Sequence, residues 1–367
     1  MRIGIMLRAY DRPGGIGIYS RYLIKHLLQI DQENQYLLIY NNQKNFGNYD
    51  QLGNVDEIVL PTTNPVIWDQ ILIPSVIKKW DLNLIFHTKF TVPLRTGIRK
   101  VMTVHGASWL VHPEIYTRFD VLFERVAMRL YCRAADFLIA NSTRTQNDYM
   151  RLFNVPSEKI ATIHFAAGEG FHPIHDSFIL QSARSKYQLP ECFILCVMSY
   201  DPNKNFSTIM KTFDLCRRET KADLVIVGKD CRKFWNEYGE KYKELEDTIH
   251  FLGWVDQEDL PMIYNLATVF FYPSIFETFG IPILEAMACG CPVIASNTGA
   301  IPEISKGAAL MADPFDHWAF AEYIKTVTHS DSVSKNLEER GLEVSKTYSW
   351  LKTAKQTLKI FSNVCRQ

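Results

Sequence analysis

The chain has 367 residues, 47% of them apolar and 22% charged, and its 40 basic residues equal its 40 acidic ones. That is more than twice a typical single domain, so two domains with separate cores are expected, while the composition excludes disorder and the charge balance excludes a general affinity for nucleic acid. The eight cysteines sit in apolar segments such as CFILC (Cys192, Cys196) and ACGC (Cys289, Cys291), without histidines at zinc-ligand spacing, and read as reduced thiols of a cytosolic protein. No stretch approaches the roughly 18 apolar residues of a spanning helix, and the N-terminus lacks a signal-peptide pattern. A cytoplasmic chain, at most peripheral at the inner face of a membrane, is the expectation.

Short β-rich runs alternate with helical patterns from the start: Ile3 to Leu7, a helix from about Ile16 to Ile30, then Tyr36 to Tyr40, Glu57 to Leu60, Leu82 to Phe86, Lys100 to His105, Phe137 to Ala140 and Lys159 to Phe165. This alternation predicts a parallel sheet covered by helices. After a less patterned segment near His172 to Ser177 a second series follows: Phe193 to Met198, a helix near Ser207 to Cys216, Asp223 to Val227, Ile249 to Val255, Val269 to Tyr272 and Pro292 to Ala295. Two doubly wound α/β domains in tandem are predicted, with ligands collecting at the carboxyl ends of the strands. Between Val76 and Arg144 eleven basic residues face five acidic ones, so part of the first half is basic. There a helix from about Thr117 to Ala134 places Phe119, Leu122, Phe123, Val126, Leu130 and Tyr131 on one face and Arg125, Arg129 and Arg133 on another. Such a helix is either a surface helix with a solvated charged stripe or a contact to anionic lipid or a lipid-linked acceptor.

The segment SIFETFGIPILEAMACGCPVIASNTGAIP, Ser274 to Pro302, sets Glu277 and Glu285 around a glycine-containing turn at a probable helix start. Pro282 suits the first turn of a helix Ile283 to Cys289 that Gly290 ends, so backbone N–H groups near Phe279, Gly280 and Ile281 are expected to face an anionic phosphate or sugar hydroxyls. Glu285 can then accept two bonds from vicinal ribose hydroxyls, and Glu277 can reach another polar group of the ligand. Singly, each glutamate is as well explained as a solvated helix-end charge. The Gly-rich loop Pro13, Gly14, Gly15, Ile16, Gly17 lacks the third glycine of a dinucleotide fingerprint, which leaves a packing turn or a backbone approach to phosphates.

The Ser274–Pro302 string resembles the donor-site signature of retaining glycosyltransferases of the family 4 (group 1) type, with E-x7-E at Glu277 and Glu285. The likeness extends to the Gly14–Gly15 loop, to His105 in VMTVHGASWLVHP, to ANSTRTQNDYMRLFNVPSEKI, to Lys204 in DPNKN, to FLGWV and to the terminal YSWLKTAKQTLKIF. It implies a GT-B fold, two Rossmann-like doubly wound domains facing a central cleft: residues 1–170 for the acceptor, residues 171–347 for the nucleotide sugar, and a last helix, 348–367, crossing back to the first. It implies that Glu277 and His105 contact the transferred sugar, Glu285 the ribose and Lys204 the diphosphate, with Phe279, Gly280, Ile281, Gly14 and Gly15 near the phosphates and Trp254 and Val255 near the base. Core packing explains Trp254 equally well.

Relatives often carry Asp after the histidine, where this chain has Gly106, and an arginine at the positions of Ser199 or Asn203. The activity expected is metal-independent, retaining transfer of a glucose- or mannose-type hexose, with a UDP-sugar favoured over a GDP-sugar. The acceptor is a glycan or lipid-linked molecule in bacterial polysaccharide or cell-envelope synthesis, no cofactor is needed, and peripheral membrane contact runs through the basic first domain. A sugar-nucleotide epimerase and a non-catalytic sugar-nucleotide-binding protein are the alternatives.

Overall fold

The computed structural model describes residues 1–12, 14–115 and 117–366; Pro13 and the side chains of Phe119 and Phe123 lie outside the described residues. The chain forms two compact units, Met1–Phe165 joined by Ser349–Gln367, and Ala166–Tyr348.

The first unit is built on β1 (Arg2–Met6), β2 (Gln35–Tyr40), β3 (Val55–Val59), β4 (Leu84–His87), β5 (Arg99–Val104), β6 (Phe137–Ala140) and β7 (Ile160–Thr162). They form a seven-stranded sheet of order β3-β2-β1-β4-β5-β6-β7, parallel at every pairing. The central strands are apolar along nearly their whole length because both faces are covered, the pattern of a buried parallel sheet. The chain winds outward from β1 through β2 to β3, then returns to place β4 on the other side of β1. The carboxyl ends of β1 and β4 therefore flank a topological switch point, where Met6 pairs with His87. The helix Trp350–Arg366 belongs to this unit: Trp350 stacks on Tyr22 at 5.3 Å and on Phe165 at 5.9 Å, Phe361 meets Phe86 at 5.1 Å, and the Thr353 hydroxyl donates to the His164 carbonyl at 2.7 Å.

The second unit holds β8 (Phe193–Val197), β9 (Asp223–Val227), β10 (Ile249–Gly253), β11 (Val269–Tyr272), β12 (Val293–Ser296) and β13 (Leu310–Ala312), a parallel sheet of order β10-β9-β8-β11-β12-β13. Its switch point lies between β8 and β11, whose carboxyl ends carry the loops of Lys204 and Glu277. The edge strand β13 is only three residues long, too short for an alternation or an apolar run to announce it.

Two local features differ from the sequence expectation. The helix after the glutamate loop is Ile281–Ala288 rather than Ile283–Cys289, with Pro282 in its first turn and Gly280 before it at φ 99°. Glu285 is thus in the second turn, so it is not a first-turn charge serving the helix dipole. In the helix Arg118–Ala134, Met128 and Cys132 enter the core, whereas Leu122, Val126 and Leu130 are 61%, 55% and 47% exposed, alongside exposed Arg125, Arg129 and Arg133. The apolar stripe 122–126–130 and the arginine stripe 125–129–133 run side by side on the open face. No described helix is long and apolar enough to cross a membrane.

Candidate functional site

Lys204 closes a short 3-10 turn, Pro202–Lys204, after β8, and Glu277 lies on the loop after β11. The strand order makes these loops neighbours although 73 residues separate them. The Lys204 ammonium donates to Glu277 Oε1 at 2.6 Å and to the Tyr272 hydroxyl at 3.0 Å, and Tyr272 donates to the same Oε1 at 2.8 Å. The Lys204 and Glu277 side chains are 16% and 14% exposed. Burial alone would lower the lysine pKa, but the Glu277 charge and the Tyr272 hydroxyl reverse that and raise it, so Lys204 is a fixed cation. Burial and the Glu277 charge likewise raise the Tyr272 pKa, and its hydroxyl stays protonated. A positive charge held at the carboxyl edge of a sheet, with one carboxylate partner and residual exposure, can turn to the growing charge of a phosphate leaving group.

Asn203 fixes the loop that carries Glu277. Its side-chain amide donates to the Phe276 carbonyl at 2.6 Å, its side-chain oxygen accepts from the Phe276 N–H at 3.0 Å, and its own carbonyl accepts from the Ile275 N–H at 2.8 Å. Expected from the sequence to be the gap left by an absent arginine, this position is a two-sided backbone clamp. From the other side the Ala300 N–H donates to the Glu277 carbonyl at 2.8 Å. Gly299, at φ 61°, passes so close that a Cβ there would stand 2.1 Å from the same carbonyl oxygen.

The helix Ile281–Ala288 starts beside this loop. No side chain caps it, and the N–H groups of Gly280 and Ile281 have no acceptor among the described residues. Phe279 and Ile281 are buried, and Phe279 meets Tyr348 edge-on at 6.4 Å. Glu285 is 3% exposed, and burial pushes its carboxyl up to about 7; the Tyr264 hydroxyl, donating at 3.3 Å, relieves this only in part. A buried carboxylate with one long hydrogen bond has acceptor capacity to spare. Trp254 is 59% exposed, which removes core packing as its explanation, and Val255 is buried.

The second unit thus holds Lys204, Glu277, Glu285, Phe279, Gly280, Ile281, Trp254 and Val255, with Lys204 and Glu277 in direct contact. His105, Gly14 and Gly15 lie in the first unit. His105 Nε2 donates to the Thr88 carbonyl at 2.7 Å, and its ring lies 5.3 Å from Tyr19 and 5.7 Å from Phe165; burial pushes its pKa down to about 4, so the ring is neutral and Nδ1 is left as an acceptor. Gly14, at φ 85°, immediately precedes the helix Gly15–Ile30. Sequence reasoning missed Tyr272, Tyr264 and the clamp at Asn203. Tyr272 had a signal, a polar-tipped aromatic ending an otherwise apolar strand; the other two had none.

A family model described as "Glycosyl transferases group 1" matches residues 181–344, and one described as "Glycosyltransferase Family 4" matches residues 13–165. Among curated proteins, O-antigen chain mannosyltransferase B of Escherichia coli is 29% identical over 95% of this chain and 95% of its own length. Among solved structures, sucrose-phosphate synthase from Thermosynechococcus elongatus superposes with a TM-score of 0.78 at 20% identity, covering 99% of both chains. Anabaena HepE in complex with UDP-glucose superposes at 0.79 and 18% identity, covering 99% of this chain and all of the other. At these identities the two structures speak for the fold.

Proposed function

The chain belongs to the glycosyltransferases of the group 1 and family 4 type, with the two parallel α/β units of the GT-B fold, and on that premise we propose that it moves a mannosyl group from a nucleoside diphosphate sugar to a growing bacterial surface polysaccharide or its lipid-linked precursor, with retention of anomeric configuration. The observation that carries this reading is the Lys204–Tyr272–Glu277 constellation beside the uncapped amides of Gly280 and Ile281. Mannose is favoured over glucose by the name of the Escherichia coli relative.

In this reading Lys204 and the two amides take up the negative charge that grows on the diphosphate as the C1–O bond breaks. The acceptor hydroxyl forms the new bond to C1 from the same face, and its proton passes to the departing diphosphate oxygen. Glu277 binds hydroxyls of the transferred sugar, Glu285 the ribose, and exposed Trp254 with Val255 the base. His105 supplies Nδ1 as acceptor to a sugar hydroxyl. With the charge met by an ammonium and backbone amides, the reaction proceeds without a metal ion or other cofactor.

The test is product analysis. Incubated with GDP-mannose or UDP-glucose and a lipid-linked or free oligosaccharide, the enzyme is expected to yield an α-glycoside by NMR, at an unchanged rate in EDTA. A β-linked product overturns retention, and loss of activity in EDTA restored by Mg²⁺ or Mn²⁺ overturns the metal-free site. Conversion of the donor sugar to its epimer without acceptor would make the protein an epimerase.

A further inference from the structure

The switch point of the first unit holds a second group of charges that these roles leave unused. Arg8 follows β1, His87 ends β4 with Lys89 two residues beyond, and Asp69 sits on the π-helical turn Trp68–Leu72. Arg8 Nη2 donates to Asp69 Oδ2 at 3.2 Å, and its guanidinium lies 5.9 Å from the centre of the Trp68 ring. The Asp69 side chain is 2% exposed and that of Arg8 14%. Arg8 Nε, Asp69 Oδ1 and His87 Nε2 are buried without a hydrogen-bond partner. The Lys89 ammonium has no acceptor among the described residues; it lies 4.8 Å from the Phe90 ring. Burial, then the fields of Arg12 and Arg8, push its pKa down to about 8, outweighing Glu124 and Asp69. His87 Nδ1 lies 2.8 Å from both the carbonyl and the hydroxyl oxygen of Thr91; the carbonyl can only accept and the hydroxyl can do so too, which puts the proton on Nδ1 and leaves Nε2 a bare acceptor.

The site contains three buried polar atoms without a partner, the donor Arg8 Nε and the acceptors Asp69 Oδ1 and His87 Nε2, with the partly exposed Lys89 ammonium as a further donor. Unmet buried polar atoms each cost about 1–3 kcal/mol, and a native fold keeps several together where a ligand completes them. The donors want an oxyanion and the acceptors want hydroxyls. We propose that Arg8, Lys89, Asp69 and His87 form a sugar-phosphate site, the cations holding the phosphate and the carboxylate and imidazole accepting from sugar hydroxyls. That the sugar phosphate is part of the acceptor rests on the transferase reading; the site itself does not.

The test measures binding without turnover, so its failure is separate from failure of the transfer reaction. α-D-Mannose 1-phosphate is titrated calorimetrically with a saturating mixture of UDP and GDP, with inorganic phosphate and methyl α-mannoside as fragment controls. Binding is expected with the nucleotides present, tighter than for either fragment, and weakened about tenfold or more in Lys89→Gln and in Asp69→Asn, as for loss of a charged hydrogen-bond partner. Circular dichroism and an unchanged thermal unfolding profile report that a variant is folded; should Asp69→Asn fail there, Lys89→Gln decides alone. Displacement by the nucleotides, unchanged affinity in folded Lys89→Gln, or equal binding of inorganic phosphate would each overturn the proposal.

Discussion

Glu277 and Glu285 are eight residues apart and chemically identical, yet their surroundings differ: one is paired with a cation, the other buried with a single long hydrogen bond. Glu277 is neutralised by Lys204 at 2.6 Å, so replacing Lys204 removes a cation and also strands a largely buried carboxylate. Turnover of Lys204→Ala at saturating donor is expected to fall on the order of a hundredfold or more, as for loss of a preorganised stabilising group. Retention of more than about a third of the rate would mean that another cation serves the leaving group. Asn203→Arg is not expected to rescue it, because that change breaks both side-chain bonds to Phe276.

Glu285 makes a pH-dependent prediction. Its carboxyl, pushed up to about 7 from 4.5, binds a proton more tightly folded than unfolded, so this residue's contribution to stability falls as pH rises from about 4.5 to about 7 and is constant above. With a tenfold change in proton affinity worth about 1.4 kcal/mol, the difference is roughly 3 kcal/mol, and Glu285→Gln should remove it from the denaturation profile. Ribose hydroxyls favour the ionised form, so nucleotide-sugar affinity should weaken as pH falls below about 7, with proton release on binding. Calorimetry in buffers of different ionisation enthalpy measures that release. Wild-type affinity and release in Glu285→Gln would remove the ribose assignment.

The strands were legible because a parallel sheet covered on both faces leaves continuous apolar runs, and VFFY or FILCV can hardly be anything else. What escaped was structure without a compositional mark: the three residues of β13, the π-turn at Trp68–Leu72, and the side of the Arg118–Ala134 helix that faces solvent. The site divided the same way. Motif spacing gave Lys204 and both glutamates, while the Asn203 clamp and the partners Tyr272 and Tyr264 depend on which loops the strand order brings together. The turn after β12 shows this reach across the sequence. In Gly299→Ala the new methyl would overlap the Glu277 carbonyl oxygen at a left-handed φ, so the glutamate must move. An ångström of misplacement can cost about a hundredfold in rate, so a loss of at least tenfold is expected with the unit still folded by circular dichroism. Gly14→Ala separates strain from overlap: at φ 85° and ψ −171° its backbone is one that only glycine readily adopts, so strain of about 1–3 kcal/mol is the expected cost although a methyl there meets nothing within 4 Å. If Gly299→Ala keeps wild-type turnover, the Glu277 backbone does not need its present position.

At the scale of the whole molecule the net charge is zero, so overall attraction will not bring the chain to a membrane; any association must come from a local surface. The Arg118–Ala134 helix offers one, with Leu122, Val126 and Leu130 exposed along a line and Arg125, Arg129 and Arg133 beside it. Burying an exposed leucine or valine is worth about 1.5–3 kcal/mol at most, and each arginine near an anionic bilayer about 1 kcal/mol. Those terms suffice for reversible binding and fit the lipid-linked acceptor proposed above. Sedimentation with phosphatidylglycerol-containing vesicles should show association that weakens as salt rises, because screening acts on the arginine share alone. Leu122→Glu with Val126→Glu should reduce partitioning about tenfold or more while leaving nucleotide binding intact, since neither side chain enters the core. Equal sedimentation of that variant, or equal binding to phosphatidylcholine vesicles lacking anionic lipid, would show that this face is not how the chain meets a membrane.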